Sequence, residues 1–230
     1  EWLILHFNHW FSHLNVTLIK GDFEPEYFPA TSDTSARIQF AHGFFNSALH
    51  EISHWTIAGE ERRKLADLGY WYAPDGRTAE QQALFEQVEI KPQAIEWLFA
   101  QAFGRKFRVS LDNLTGDGGN GSTFKDNVFE QLQKYFNGEA KLPRDAERFI
   151  HCICICCRAG QPLQIDEFKR EMAKIDNKSA YLREVFKRIN LAGSEEERKQ
   201  AMELMSDLSG FSLSEQEFTE FINGKKQIEL

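Results

Sequence analysis

Residues 48–55 read ALHEISHW, which sets His50 and His54 four positions apart with Glu51 directly after the first histidine. On an α-helix, positions i and i+4 lie one turn apart on the same face. Two imidazoles so spaced can address a single cation. Glu51 is turned by about 100° from His50, so it reaches a cation-bound water more readily than the cation itself. The chemistry on offer is that of a metal held by two neutral imidazoles, with an acid–base carboxylate alongside. Five residues with three fixed also recur by chance, so the weight falls on the surrounding elements.

Those elements favour a buried site. Ala48, Leu49, Ile52 and Trp55 make FFNSALHEISHWTIAG a largely buried helix, ended by Gly59, and buried imidazoles need partners. Downstream, FEQVEIKPQ carries Glu86 and Glu89 three apart, on one helix face. A solvated face is the ordinary fate of such a pair. Here Phe85, Val88 and Ile90 surround it, and a buried glutamate demands a cation or hydrogen bonds. Glu89 is the expected third ligand, with Glu86 as the alternative or as a partner that orients the ligands. His42, in FAHGFF just before the helix, is a candidate for a supporting or further ligand. A capping or core role competes with that one. Glu60, Glu61 and Asp75 are weaker ligand candidates. His9 and His13 also stand four apart, but no acid follows them in register, so they are read as structural or exposed.

Composition narrows the function classes. The 230 residues include 42% hydrophobic and 13% aromatic residues, 20 of them Phe, enough for an aromatic-rich core. The net charge of −8 argues against a broad phosphate-binding surface, hence against direct nucleic-acid contact, and suits a basic protein partner. No apolar run approaches bilayer length, so no membrane association is expected. EWLILHFNHWF reads as an amphipathic helix and not as a signal peptide. All four Cys fall in HCICICC, a clustering that argues for a reducing, cytoplasmic compartment. Their spacings do not match a zinc-gripping loop, and Cys152 with Cys156 reads as helical packing.

The order of elements predicts an α+β fold: helix-rich with a small β-sheet, a metal site on a central helix, and an appended C-terminal helical segment. NVTLIKG and ARIQFA alternate like strands, with loop between them. EERRKLADLG reads as a short helix ended by Gly69. TAEQQALFEQVEIKPQAIEWLFAQAFG is helical on both sides of Pro92, which should kink or divide it. FRVSLDNL reads as a strand and TGDGGNGS as a mobile loop. Residues 161–230 carry no Trp, His or Cys and read as three or four short helices. Ser194 with Glu197 and Ser214 with Glu217 fit capping boxes, and Gly210 fits a helix stop. The expected boundary separates a metal-dependent domain, 1–160, from a helical appendage, 161–230.

Several joined blocks resemble the elongation factor P hydroxylase family: LIKGDFEPEYFPA, RIQFAHGFFNSALHEISHW, AGEERRKLADLGYWYAPDGR, FEQVEIKPQAIEWLF and VSLDNL. Together they cover roughly residues 1–170 and are far more specific than HExxH alone. The resemblance implies a non-haem iron oxygenase that hydroxylates the lysine of elongation factor P already carrying a β-lysyl group. It also implies a two-His-one-carboxylate motif, which falls on His50, His54 and a glutamate, with Glu89 offered. It leaves the co-substrate or reductant open. Under this reading Tyr70, Trp71 and Tyr72 could flank the cationic side chain, and Asp75 could bind an ammonium. The tail loosely resembles a Nif11-type helical domain.

Two other readings stay open at this level. A zinc hydrolase, a peptidase, would use the same ligands with Glu51 as the base. A non-catalytic, metal-stabilised binding module would need a fourth protein ligand. Iron(II) is the expected ion, although zinc or nickel would load into the same site during purification.

Overall fold

A computed structural model describes residues 1–69, 78–110, 121–173, 186–187, 194–209 and 214–223. The Cα packing divides the protein into two units, residues 1–119 with 126–163 and residues 120–125 with 164–230.

The first unit opens with α1 (Trp2–Trp10) and a three-stranded sheet of β1 (Val16–Lys20), β2 (Glu26–Phe28) and β3 (Ala36–Phe40). The sheet order is β1-β3-β2. β1 runs parallel to β3, with Leu18 opposite Ile38, and β2 runs antiparallel, with Tyr27 also opposite Ile38. β1 is an edge, and Asn8 of α1 covers it. The Leu18 N–H donates to Asn8 Oδ1 at 2.6 Å, and Asn8 Nδ2 donates back to the Leu18 carbonyl at 3.3 Å. β2 is bracketed by Pro25 and Pro29, in keeping with an edge position.

β3 passes through a tight turn, with His42 at φ 49° and Gly43 at φ 77°, into α2 (Phe45–Arg62). Gly59 breaks the helical path of α2 at φ 68°, a conformation that glycine enters without a Cβ clash. The expected short helix over 60–69 is instead the last turn of α2 and a 3-10 turn, Ala66–Gly69. α3 (Ala79–Ala102) follows, then α4 (Gly121–Phe136) and α5 (Arg144–Cys157).

Two sequence expectations about this stretch are corrected. α3 runs through Pro92 as one helix. The proline leaves the Val88 carbonyl without its usual donor, but Val88 is exposed, so water can serve it. Phe107–Ser110 forms no strand, and the remainder of FRVSLDNL lies outside the described residues. So does TGDGGNGS as far as residue 120; Gly121 and Ser122 begin α4.

An aromatic core fixes α2 against its neighbours. Phe7 of α1 and Phe11 just after it meet Trp55 of α2 at ring-centroid distances of 5.6 and 5.2 Å. Phe149 of α5 meets Phe99 of α3 at 4.8 Å and Phe7 at 5.8 Å. All five are essentially sealed from water, and truncating any one to Ala should cost about 3–5 kcal/mol. Of the cysteines, Cys154 is the buried one, whereas Cys156 and Cys157 are exposed. The packing role therefore belongs to Cys154, with half-buried Cys152, and not to the expected stack of Cys152 on Cys156.

In the second unit, α6 (Glu195–Ser209) and α7 (Glu215–Ile222) follow a helical stretch over 165–173. Both reciprocal caps form: the Ser194 N–H donates to Glu197 Oε2 at 2.7 Å, and the Ser214 N–H donates to Glu217 Oε2 at 2.9 Å. Phe186 meets Phe218 edge-on at 5.7 Å. Gly210 lies outside the described residues. Among the described residues, no helix is long and apolar enough to cross a membrane.

Candidate metal centre

α2 has one face committed to the core through Ala48, Leu49, Ile52 and Trp55, all buried. The adjacent face, with His50 and His54, turns toward α3. From Gln93 to Ala100 every residue of α3 is buried, yet the stretch carries Gln93 at 1% exposure and Glu96 at 8%. Polar groups sealed to that degree need partners. Glu89, Gln93 and Glu96 follow one another at helical spacing and share one face of α3.

The two faces meet in a compact polar cluster. His50 Nε2 and His54 Nε2 stand 3.1 Å apart. His54 Nε2 is 3.2 Å from Glu89 Oε1, and His50 Nε2 is 3.6 Å from Glu89 Oε2. One ligand atom from each of the three residues lies within 4.8 Å of the others. Behind the ligands, His50 Nδ1–H donates to Glu96 Oε2 at 2.9 Å. This bond commits the Nδ1 hydrogen to Glu96, so that Nε2, once it gives up its own proton, turns a lone pair to the cluster. Gln93 Nε2 donates to Glu89 Oε2 at 3.3 Å.

The electrostatics of the cluster call for positive charge. Burial opposes a charge on His50, but the hydrogen bond to Glu96 and the charges of Glu96, Glu89 and Glu51 raise its pKa to about 10. Burial likewise opposes the Glu89 carboxylate. The His54 hydrogen bond, the two imidazoles and the Gln93 donor outweigh it and lower its pKa to about 2. Burial pushes the Glu51 carboxyl up, and Glu89 and Glu96 add to that against the pull of the histidines. A proton held on His50 thus does the work a metal cation would do. Two imidazole nitrogens and a carboxylate converging at these distances fit a divalent transition ion.

Glu86, His42, Glu60 and Glu61 sit apart from this group. Glu86 is half-buried, one turn before Glu89, and accepts a hydrogen bond from Gln82 at 3.3 Å. His42 is exposed in the turn before α2, with its ring 5.7 Å from that of Phe44. Neither is among the three grouped side chains. Glu60 and Glu61 are exposed near the end of α2. Tyr70, Trp71, Tyr72 and Asp75 lie outside the described residues. Sequence reasoning missed Glu96, which is the residue that orients His50. Its signal was present: a lone charge in the apolar run AIEWLFA, seven residues after Glu89.

A small α+β domain carrying a two-histidine, one-carboxylate cluster between two helices is the class that this fold and site define. Comparison with known proteins narrows it. The family described as elongation factor P hydroxylase matches residues 6–168, and the chain belongs to that family. A Haemophilus influenzae (strain Rd) protein named elongation factor P lysine hydroxylase is 50% identical over 149 residues, covering 64% of this chain and 83% of that protein.

Proposed function

We propose that this protein hydroxylates elongation factor P on the lysine that already carries a β-lysyl group, using Fe(II) held by His50, His54 and Glu89. The single observation that carries the metal reading is the convergence of those three side chains within 4.8 Å. The relative's name, elongation factor P lysine hydroxylase, supports the reaction and the substrate. Bound there, iron would supply the activation of dioxygen, so that one oxygen atom enters a C–H bond of the modified lysine; the reductant or co-substrate is a separate component.

The protein's own residues supply the rest. Glu96 holds the His50 ring with Nε2 facing inward, and Gln93 holds Glu89. Glu51 lies one turn before His54 on α2, where burial raises its pKa and favours a carboxyl that can hold a proton. With Glu51 holding a proton, the carboxylates of Glu89 and Glu96 balance one divalent ion, so the cationic side chain of a lysylated lysine calls for other partners. Tyr70, Trp71, Tyr72 and Asp75 are assigned to that side chain by their chemistry alone. Three grouped protein ligands suit an open, catalytic site better than a closed structural one. Residues 1–160 as the hydroxylase domain, 161–230 as a helical appendage, and a cytoplasmic location belong to the same proposal.

Mass spectrometry of elongation factor P from cells with and without this protein tests the reading. A gain of one oxygen atom on the modified lysine, dependent on this protein, is the expected result. Identical masses from both cells would overturn it.

A further inference from the structure

The Gln93 amide does more than touch Glu89. Its Nε2 donates to the Ser110 carbonyl at 2.7 Å, and its Oε1 accepts from the Ser110 N–H at 2.9 Å. The second Nε2 hydrogen goes to Glu89 Oε2 at 3.3 Å. Both amide hydrogens and the amide oxygen are thus engaged, on a side chain only 1% exposed.

An amide can in general present either end to a neighbour. Here Ser110 offers one donor and one acceptor from the same main chain, and only one orientation satisfies both. That orientation aims Nε2 at the carboxylate. Flipped, the amide would set its oxygen against Glu89 Oε2, lone pair against lone pair, and would lose both bonds to Ser110. The main chain at Ser110 therefore decides whether Glu89 receives a donor. Glu89 is divided in consequence: Oε2 is held by Gln93, and Oε1 is the oxygen nearest His54. Ser110 itself is exposed, so this linkage runs from the surface to the cluster through one buried side chain.

We infer that Gln93 is a positioning residue that couples the ligand Glu89 to the main chain at Ser110, so that ion binding and the order of Phe107–Ser110 rise and fall together. The inference rests on the metal-centre reading proposed above. Coupling of this kind is reciprocal: an ion that fixes Glu89 steadies Ser110, and a steadied Ser110 raises affinity for the ion.

The test uses the full-length protein and Zn(II) as a redox-inert probe, with calorimetric titration and amide hydrogen exchange. In the unsubstituted protein, Zn(II) should slow exchange at the Ser110 amide. Gln93→Leu should weaken Zn(II) binding by about tenfold, at the lower edge of the range for partners that orient ligands, and abolish the effect of Zn(II) on Ser110 exchange. Ser110→Pro removes the N–H that orients the amide, at an exposed position. It should weaken Zn(II) binding in the same direction, and the double variant should bind no worse than Gln93→Leu alone. A merely structural Gln93 would lower the melting temperature of the ion-free variants and leave Zn(II) affinity intact. Unchanged affinity in both single variants, or additive losses in the double variant, would overturn the coupling while leaving the metal centre standing. An unsubstituted protein that takes up no Zn(II) would bring down both.

Discussion

Glu96 Oε2 accepts the Nδ1 hydrogen of His50 at 2.9 Å, across the contact between α2 and α3. A carboxylate behind a ligating imidazole fixes its tautomer and raises its basicity. Glu96→Gln keeps an acceptor but removes the charge, and Zn(II) affinity should fall by about tenfold. Glu96→Leu also strands a buried N–H, which should cost a further 1–3 kcal/mol or so in ion-free stability. Titration calorimetry and thermal melts of both variants separate the two effects. Affinity unchanged in Glu96→Leu would show that the contact does not orient His50.

The ligands themselves should behave differently. His54 and His50 are partly accessible, at 13% and 22% side-chain exposure, and the aromatic core does not depend on them. His50→Ala and His54→Ala should each abolish ion retention and hydroxylation while leaving a folded protein, as judged by circular dichroism. Full activity in His54→Ala would refute the site assignment.

Glu51 separates the oxygenase from the hydrolase that HExxH equally permits. A zinc peptidase uses that glutamate to activate water, so Glu51→Gln would remove nearly all turnover. A hydroxylase should keep its ion and a measurable fraction of its activity in the same variant. Oxygen uptake and peptide cleavage, assayed side by side on the purified variant, distinguish the outcomes.

Parts of this arrangement were legible in the sequence for identifiable reasons. The i, i+4 spacing of His50 and His54 forces a shared helix face, and Glu89 stood out because its neighbours were apolar. Ser194 and Ser214 announced their caps through glutamates three residues on. β2 escaped notice because Glu26–Phe28 is too short to show alternation and lies between two prolines. Of the kink or division expected at Pro92, the division did not form, and the lost hydrogen bond falls where Val88 is exposed. Glu96 and Gln93 were missed for a different reason. Their roles depend on which side of α3 meets α2, and a single helix's periodicity leaves that docking direction unspecified.

The cluster should make ion-free stability depend on pH in a defined direction. His50 has its pKa raised from 6.5 to about 10 in the folded protein. Its contribution is therefore complete below about pH 6.5 and is lost as the pH climbs through about 10. Glu89 is lowered from 4.5 to about 2, so its contribution is complete above about pH 4.5 and is lost only as the pH falls through about 2. The melting-temperature difference between the unsubstituted protein and His50→Ala, both ion-free, should shrink steadily from pH 7 to pH 10. A constant difference would contradict the charged His50–Glu96 pair. Because the ion must displace that proton, Zn(II) affinity should rise over the same interval.

A second ion pair anchors the far end of the helix that carries His50 and His54, and its loss should be felt as stability and not as chemistry. Arg63 lies with its guanidinium carbon 3.8 Å from the Trp55 ring centroid, donates through Nε to the Trp55 carbonyl at 3.0 Å, and pairs through Nη2 with Asp145 Oδ2 at 2.7 Å. Both side chains are mostly buried, at 14% and 7% exposure. Asp145→Ala leaves the guanidinium uncompensated in a place from which water is largely excluded, a change that costs about 3–5 kcal/mol. Arg63→Met with Asp145→Leu together removes both buried charges and should cost less than Asp145→Ala alone, because the guanidinium left without its partner, that of Arg144 at 3.3 Å from Asp145 Oδ1, is exposed to water. All five Trp precede residue 160, so denaturant unfolding followed by Trp fluorescence reports on this unit. Zn(II) affinity should stay unchanged in the folded variants, since neither residue touches the cluster. Equal destabilisation in the single and double variants would mean that the packing over Trp55, and not the charge pair, holds that end of the helix.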